Sequence, residues 1–117
     1  MSILEYTKAD VEEIREIALC EIKSWKNNIS LFEKLIQYAK TNIIDCKEKA
    51  KLCQKNSNMK AFEFLMKECI PQSEHAIQTY RQLSLDCEFY IKAHMERIKS
   101  YDDLLKEGNL PLTYSNN

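Results

Sequence analysis

The sequence predicts an all-α protein: a long antiparallel helical hairpin of coiled-coil type, completed to a three- or four-helix bundle by a kinked segment or by oligomerisation. Three observations carry this reading. Among 117 residues only one is Gly and two are Pro, which is too little turn material for a sandwich or barrel of many short strands. From Ala18 to Cys53 the apolar residues recur at alternating intervals of three and four without a slip. A second pattern of this kind runs from Met59 to about Lys106, and helices joined by so short a polar connection fold back as antiparallel neighbours.

Residues 1–6 are expected to form an N-terminal extension, and 7–107 a single helical domain. The first helix is placed at 7–54. Thr7 with Asp10 three residues on, then Glu12 and Glu13, supplies acceptors for the free N–H groups and negative charge for the positive end of the helix dipole. Its seam consists of Ile22, Ile29, Ile36, Ile43 and Ala50 in one row, and Ala18, Trp25, Phe32, Ala39, Cys46 and Cys53 in the other. The same phase reaches back to Val11 with Arg15 as the one misfit, so the seam lasts about five heptads. Leu19 and Leu35 flank it, making the apolar stripe wider than a two-stranded coiled coil requires.

The segment 55–58, Lys-Asn-Ser-Asn, is the expected turn, preceded by Lys47, Lys49 and Lys51 near the negative end of the helix dipole. The second helix, 59–107, aligns Met66, Ser73, Tyr80, Cys87, His94 and Tyr101 in one row and Ile70, Ile77, Ser84, Ile91, Ile98 and Leu105 in the next. Phe62, Cys69, Ala76, Leu83 and Tyr90 add a third row. Pro71 lacks an N–H and crowds the carbonyl four residues back, so a kink is expected near 71. Asn27, Asn28, Ser30 and Glu33 resemble a capping box that would start a new helix. The unbroken apolar phase favours a continuous first arm, and a break at both places would instead give a compact four-helix bundle. Gly108 stops the second helix, and 108–117 is expected as an extended tail around Pro111, with Leu110 and Leu112 either frayed or docked on a helix and 115–117 mobile.

Function classes narrow by exclusion. With 17 Lys+Arg against 18 Asp+Glu the chain has no bulk polyanion-binding character. Nucleic acid is not an expected partner, because 14 of the basic residues are Lys and no aromatic sits among those near the turn. No apolar run approaches the ~20 residues that span a bilayer, and no signal peptide is evident, so a cytoplasmic or nuclear protein with reduced cysteines is expected. Neither His75 nor His94 follows a Glu by three positions, as a di-iron bundle would need. Cys87 and His94, like Cys46 and Cys53, are seven residues apart, a gap of ~10 Å along a helix. No catalytic, cofactor-binding or metal site is expected, and the chain is read as no enzyme. His94 reads as a core histidine bonded to a neighbour. Cys46 and Cys69 face one another in a hairpin and are read as packing residues before a redox pair.

Charge is unevenly spread. Residues 5–21 carry six acids against two bases, and 40–60 carry six lysines against two acids. Dipole complementarity explains part of this; the sharper reading is a basic tip that meets an acidic protein. Lys47, Lys49, Lys51, Lys55 and Lys60, with the aromatic anchors Tyr90 and Tyr101, are the candidate partner-binding residues. Because two helices leave the third apolar row wet, another surface must cover it, from a second copy or from another subunit. The function expected is therefore a helical structural or adaptor subunit that mediates protein–protein assembly, as a homodimer or within a hetero-complex. The alternative is a small helical chaperone. In size and layout only, with Ile70-Pro71 inside the second long helix, the chain is similar to tubulin-binding cofactor A; its apolar phasing ahead of the Pro differs from that family.

Overall fold

In the computed structural model residues 2–108 and 110–116 are described, the side chains of 2–4 and 112–116 excepted. The chain is an all-α helical hairpin with a short strand at either end. Its elements are β1 (Ser2–Tyr6), α1 (Lys8–Lys55), α2 (Met59–Phe64), a π turn (Leu65–Cys69), α3 (Ile70–Glu107) and β2 (Leu112–Asn116). The expected docking of Leu112 falls on a side chain outside those described and Asn117 lies outside the described residues, whereas Ser115 and Asn116, expected to be mobile, belong to strand β2.

Local chemistry explains each boundary. At the start of α1 a reciprocal box forms: the Asp10 N–H donates to Thr7 Oγ1 at 3.2 Å, while the Thr7 N–H and hydroxyl donate to Asp10 Oδ2 at 2.8 and 3.0 Å. Those donors, the backbone N–H first, hold the exposed Asp10 carboxyl below its usual range. Asn27 and Asn28 do not interrupt α1, which runs through them.

The far end of α1 closes with Ser57 at φ 58°, in the left-handed region. The Asn58 N–H donates to the Cys53 carbonyl at 2.8 Å and the Ser57 N–H to Gln54 at 3.2 Å, which is a Schellman ending with Ser where Gly is usual. Asn58 then caps α2, its side chain accepting from the Ala61 N–H at 3.3 Å. Gly108, at φ 70°, ends α3 in the same left-handed conformation without strain.

The kink expected near Pro71 takes the form of a π turn. The Ile70 N–H reaches back five residues to the Leu65 carbonyl, immediately before the residue that has no N–H to give and whose ring crowds the preceding turn. One extra residue in that turn shifts the phase upstream of it. Met66, expected in the seam, is 42% exposed, and Leu65 is half-buried in its stead.

The chain divides into two compact units, 1–27 with 87–117, and 28–86. In the first, β1 pairs antiparallel with β2 from Ser2↔Asn116 to Tyr6↔Leu112. Its helical part buries Val11, Ala18 and Ile22 of α1 and Cys87 and His94 of α3. As α1 advances from Arg15 through Glu21 to Trp25, its partners step back from Asp102 through His94 to Tyr90, so the two helices are antiparallel.

In the second unit Ala39, Cys46 and Ala50 of α1 and Ile70 and Ile77 of α3 are buried. Phe32 stacks on Tyr80 with centroids 6.1 Å apart, and Asn42 Nδ2 donates to Ser73 Oγ at 2.8 Å, again in antiparallel order. The seam of α1 is buried or half-buried at every position from Val11 to Cys53. The interior is nonetheless thin. Its most enclosed residue is the small Ala50, and no large side chain is fully enclosed among those described.

Candidate interaction surface

Seam positions can be named as a heptad, with a at Ile22 and Ile36 and d at Ala39 in α1, and a at Ile77 and d at Tyr80 in α3. In antiparallel helices the g positions of both then lie on one side of the pair and the e positions on the other. These two sides of the second unit differ in chemistry.

On the g side, α1 contributes Asn28, Leu31, Leu35, Tyr38 and Asn42, and α3 contributes Gln72, Ala76, Thr79 and Leu83. None of these carries a charge, and Asp45, Lys49 and Asp86 bound the stretch on the same side. Leu31 is 52% exposed, Tyr38 76% and Leu83 39%. Between the helices lies a depression of about 280 Å³, whose lining includes Leu35, Tyr38, Asn42, Gln72, Ala76 and Tyr80. The e side carries Glu33, Lys40, Glu74 and Arg81, all exposed. Charge segregation of this kind is what separates the centre of a protein interface from ordinary surface.

The first unit has a polar cluster and an aromatic one. His94 is 9% exposed; its Nε2 lies 2.8 Å from Glu21 Oε2, and Arg97 Nη1 faces its Nδ1 at 3.4 Å. Each ring nitrogen of this seam histidine therefore has a side chain facing it, Glu21 at Nε2 and Arg97 at Nδ1. Arg15, the misfit in the seam, is half-buried and donates through Nε to Asp102 at 2.6 Å. Trp25 stacks on Tyr90 at 4.8 Å, and Phe89, 69% exposed, meets Tyr90 edge-on at 5.9 Å. A depression of about 250 Å³ between Leu19, Ile22, Lys26, Met95 and Ile98 lies on the e side.

The residues expected to bind a partner fall into separate places. Lys47, Lys51 and Lys55 follow one another at one-turn intervals along α1, whereas Lys49 stands at g, on the other side of the helix, and Lys60 on α2; all five are exposed. No ion pair engages them among the described residues. Tyr90 is 45% exposed within the aromatic cluster, and Tyr101 is half-buried in the His94 row. Cys46 and Cys87 are buried, Cys53 and Cys69 half-buried and Cys20 exposed. Among the described residues no group of three or more His, Cys, Asp or Glu side chains is placed to hold a metal ion.

Leu31 and Tyr38 are the surface residues that reasoning from the seam missed. Their signal was present: Ile17, Leu31, Tyr38 and Leu52 all share one heptad phase, adjacent to g and interrupted by Ser24 and Asp45. No protein-family model, curated protein or solved structure matches the chain.

Proposed function

We propose that the chain is a non-enzymatic structural or adaptor subunit that assembles with other proteins of the cytoplasm or nucleus through the apolar sides of its helices. The observation that carries this is the uncharged stretch of the g side of the second unit, between Asn28 and Asn42 of α1 and between Gln72 and Leu83 of α3, where Tyr38 lines an apolar depression and Leu31 and Leu83 stand exposed. Covering a large apolar side chain is worth roughly 1.5–3 kcal/mol, which favours a bound state over a solvated one. No helix among the described residues is long and apolar enough to cross a membrane.

In this reading Tyr90 and Tyr101 are secondary anchors, and Lys47, Lys49, Lys51, Lys55 and Lys60 steer an acidic partner toward the turn. Photoreactive residues placed at Leu31 or Tyr38, and for comparison at Lys34 or Glu74, test it in cells. Discrete cross-linked species from the first two positions and not from the second two are expected. No cross-link from either pair would overturn the proposal.

A further inference from the structure

The turn between α1 and α2 gathers charge and apolar surface in one place. From Lys47 to Lys60 the chain carries five lysines and one acid, Glu48, with Asp45 before the span and Glu63, Lys67 and Glu68 after it. All five lysines are exposed, and no ion pair engages them among the described residues. Leu52, Met59 and Phe64 are each exposed over half or more of their surface. Helical spacing sets lysines beside them: Lys49 and Lys55 stand three residues to either side of Leu52, Lys60 follows Met59, and Phe64 lies one turn after Lys60. A lysine stem at such a position can lie along its apolar neighbour while the charge reaches outward. Backbone polar groups of the turn are already engaged. The N–H groups of Asn56, Ser57 and Asn58 donate to the carbonyls of Leu52, Gln54 and Cys53 at 3.0, 3.2 and 2.8 Å, and those of Ala61 and Phe62 donate to Asn58 at 3.3 and 3.1 Å.

From this we infer that the turn docks on an anionic lipid surface, with Leu52, Met59 and Phe64 entering the boundary between headgroups and acyl chains while the lysines meet the headgroup charge. This goes beyond the assembly reading, which concerns the g side, and gives the lysines of the turn the acidic partner they steer toward. Composition selects lipid over protein. Protein hot spots are built chiefly on Trp, Tyr and Arg, and between Tyr38 and Tyr80 the chain has none of the three. Arg suits the planar, two-pronged recognition of a carboxylate, whereas Lys is a hydrated point charge on a flexible stem, matched to a diffuse field of headgroups. Five lysines fall within the ~4–8 basic residues that mark attachment to anionic lipid, and the apolar side chains beside them add the second attraction that stable surface binding needs. The engaged backbone matters here, because polar groups withdrawn from water must find partners inside the chain. Docking is at the surface only, since no helix among the described residues is long and apolar enough to cross the bilayer.

The test is co-sedimentation of the full chain with vesicles of phosphatidylcholine alone, or of phosphatidylcholine and phosphatidylserine at about three to one. It compares the wild type with a charge variant, Lys49→Glu with Lys51→Glu and Lys55→Glu, and an apolar variant, Leu52→Ser with Met59→Ser and Phe64→Ser. A control makes the same charge change in the first unit, Lys23→Glu with Lys92→Glu and Lys99→Glu. All these side chains are exposed, and far-UV circular dichroism verifies unchanged helix content. The wild type is expected to bind the mixed vesicles and not phosphatidylcholine alone, and to lose binding as salt rises. The charge variant should bind about a hundredfold more weakly and the apolar variant about tenfold more weakly, while the control stays close to wild type. A wild type that ignores the mixed vesicles or binds both kinds equally, an apolar variant that binds as wild type, or a control that falls as far as the charge variant would each overturn the inference. A wild type that ignores the mixed vesicles yet cross-links in cells to an acidic polypeptide, through a photoreactive residue at Leu52, overturns it in favour of a protein at the turn. None of these outcomes bears on the g side, which cross-linking from Leu31 and Tyr38 tests separately.

Discussion

Ser84 occupies an a position of α3, in line with Ile77 and Ile91, and its Oγ is buried with no hydrogen-bond partner among the described residues. Leaving a buried hydroxyl unpaired costs about 1–3 kcal/mol. Ser84→Ala removes that oxygen and places the best helix former in a helix interior, with only a small loss of packing. A net gain of about 1 kcal/mol follows, which for a domain of this size raises the thermal midpoint by roughly 4–8 °C. Ser73 is the internal control, because its Oγ accepts from Asn42 Nδ2 at 2.8 Å; Ser73→Ala removes that exposed hydrogen bond and should lower stability by about 0.5 kcal/mol. Thermal melts followed at 222 nm, with urea titrations in parallel, measure both. A lower midpoint for Ser84→Ala, or a higher one for Ser73→Ala, would refute the assignment of which serine is satisfied.

Further outcomes follow from the same geometry. Ile36→Asp places an unpaired charge in the seam and should abolish cooperative unfolding; retained cooperativity would contradict the register. Ser57→Gly relieves a left-handed residue at the Schellman position and should raise the urea midpoint, by about 1 kcal/mol of stability. Folding lowers the Asp10 pKa, so its stabilisation is fully present above the unfolded value near 3.8 and is lost as pH falls through the lower folded value. Asp10→Ala should therefore be less stable than wild type at neutral pH and converge with it in strong acid, as acid titrations of both would record. Reversing Lys49, Lys51 and Lys55 to Glu should weaken capture of an acidic partner while circular dichroism stays constant; equal capture would return these lysines to plain solvation.

The hairpin and the seam of α1 were legible because an unbroken spacing of three and four leaves one face apolar, and covalent helix geometry then decides what is buried. Ile22, Ala39, Cys46 and Ala50 lie where that spacing puts them. The π turn was not legible. Pro71 announced a disturbance, but whether it bends the axis or adds a residue depends on the backbone bonds around it, and the added residue is what moves Met66 out of the seam. The β1–β2 pairing was hidden by distance, since Tyr6 and Leu112 become neighbours only after the helices have folded back. His94 was legible as a seam residue that needs a partner, whereas Glu21 and Arg97 as those partners required the relative rotation of two helices. At the surface the difficulty was weighting. Leu31 and Tyr38 repeat in phase, but two polar interruptions in their row hid it beside the cleaner seam.

The central claim is that the apolar side left open by a two-helix layer is covered by another protein chain and that the fold draws stability from that cover. Chemical unfolding of the isolated protein across a wide range of protein concentrations tests it most directly, because any partner copy that binds only the folded state stabilises by mass action. The account predicts marginal stability for the chain on its own, with a midpoint that climbs with protein concentration where the cover is a second copy. A cooperative transition of ordinary stability, about 5 kcal/mol or more, with a midpoint that does not move with concentration, would contradict it.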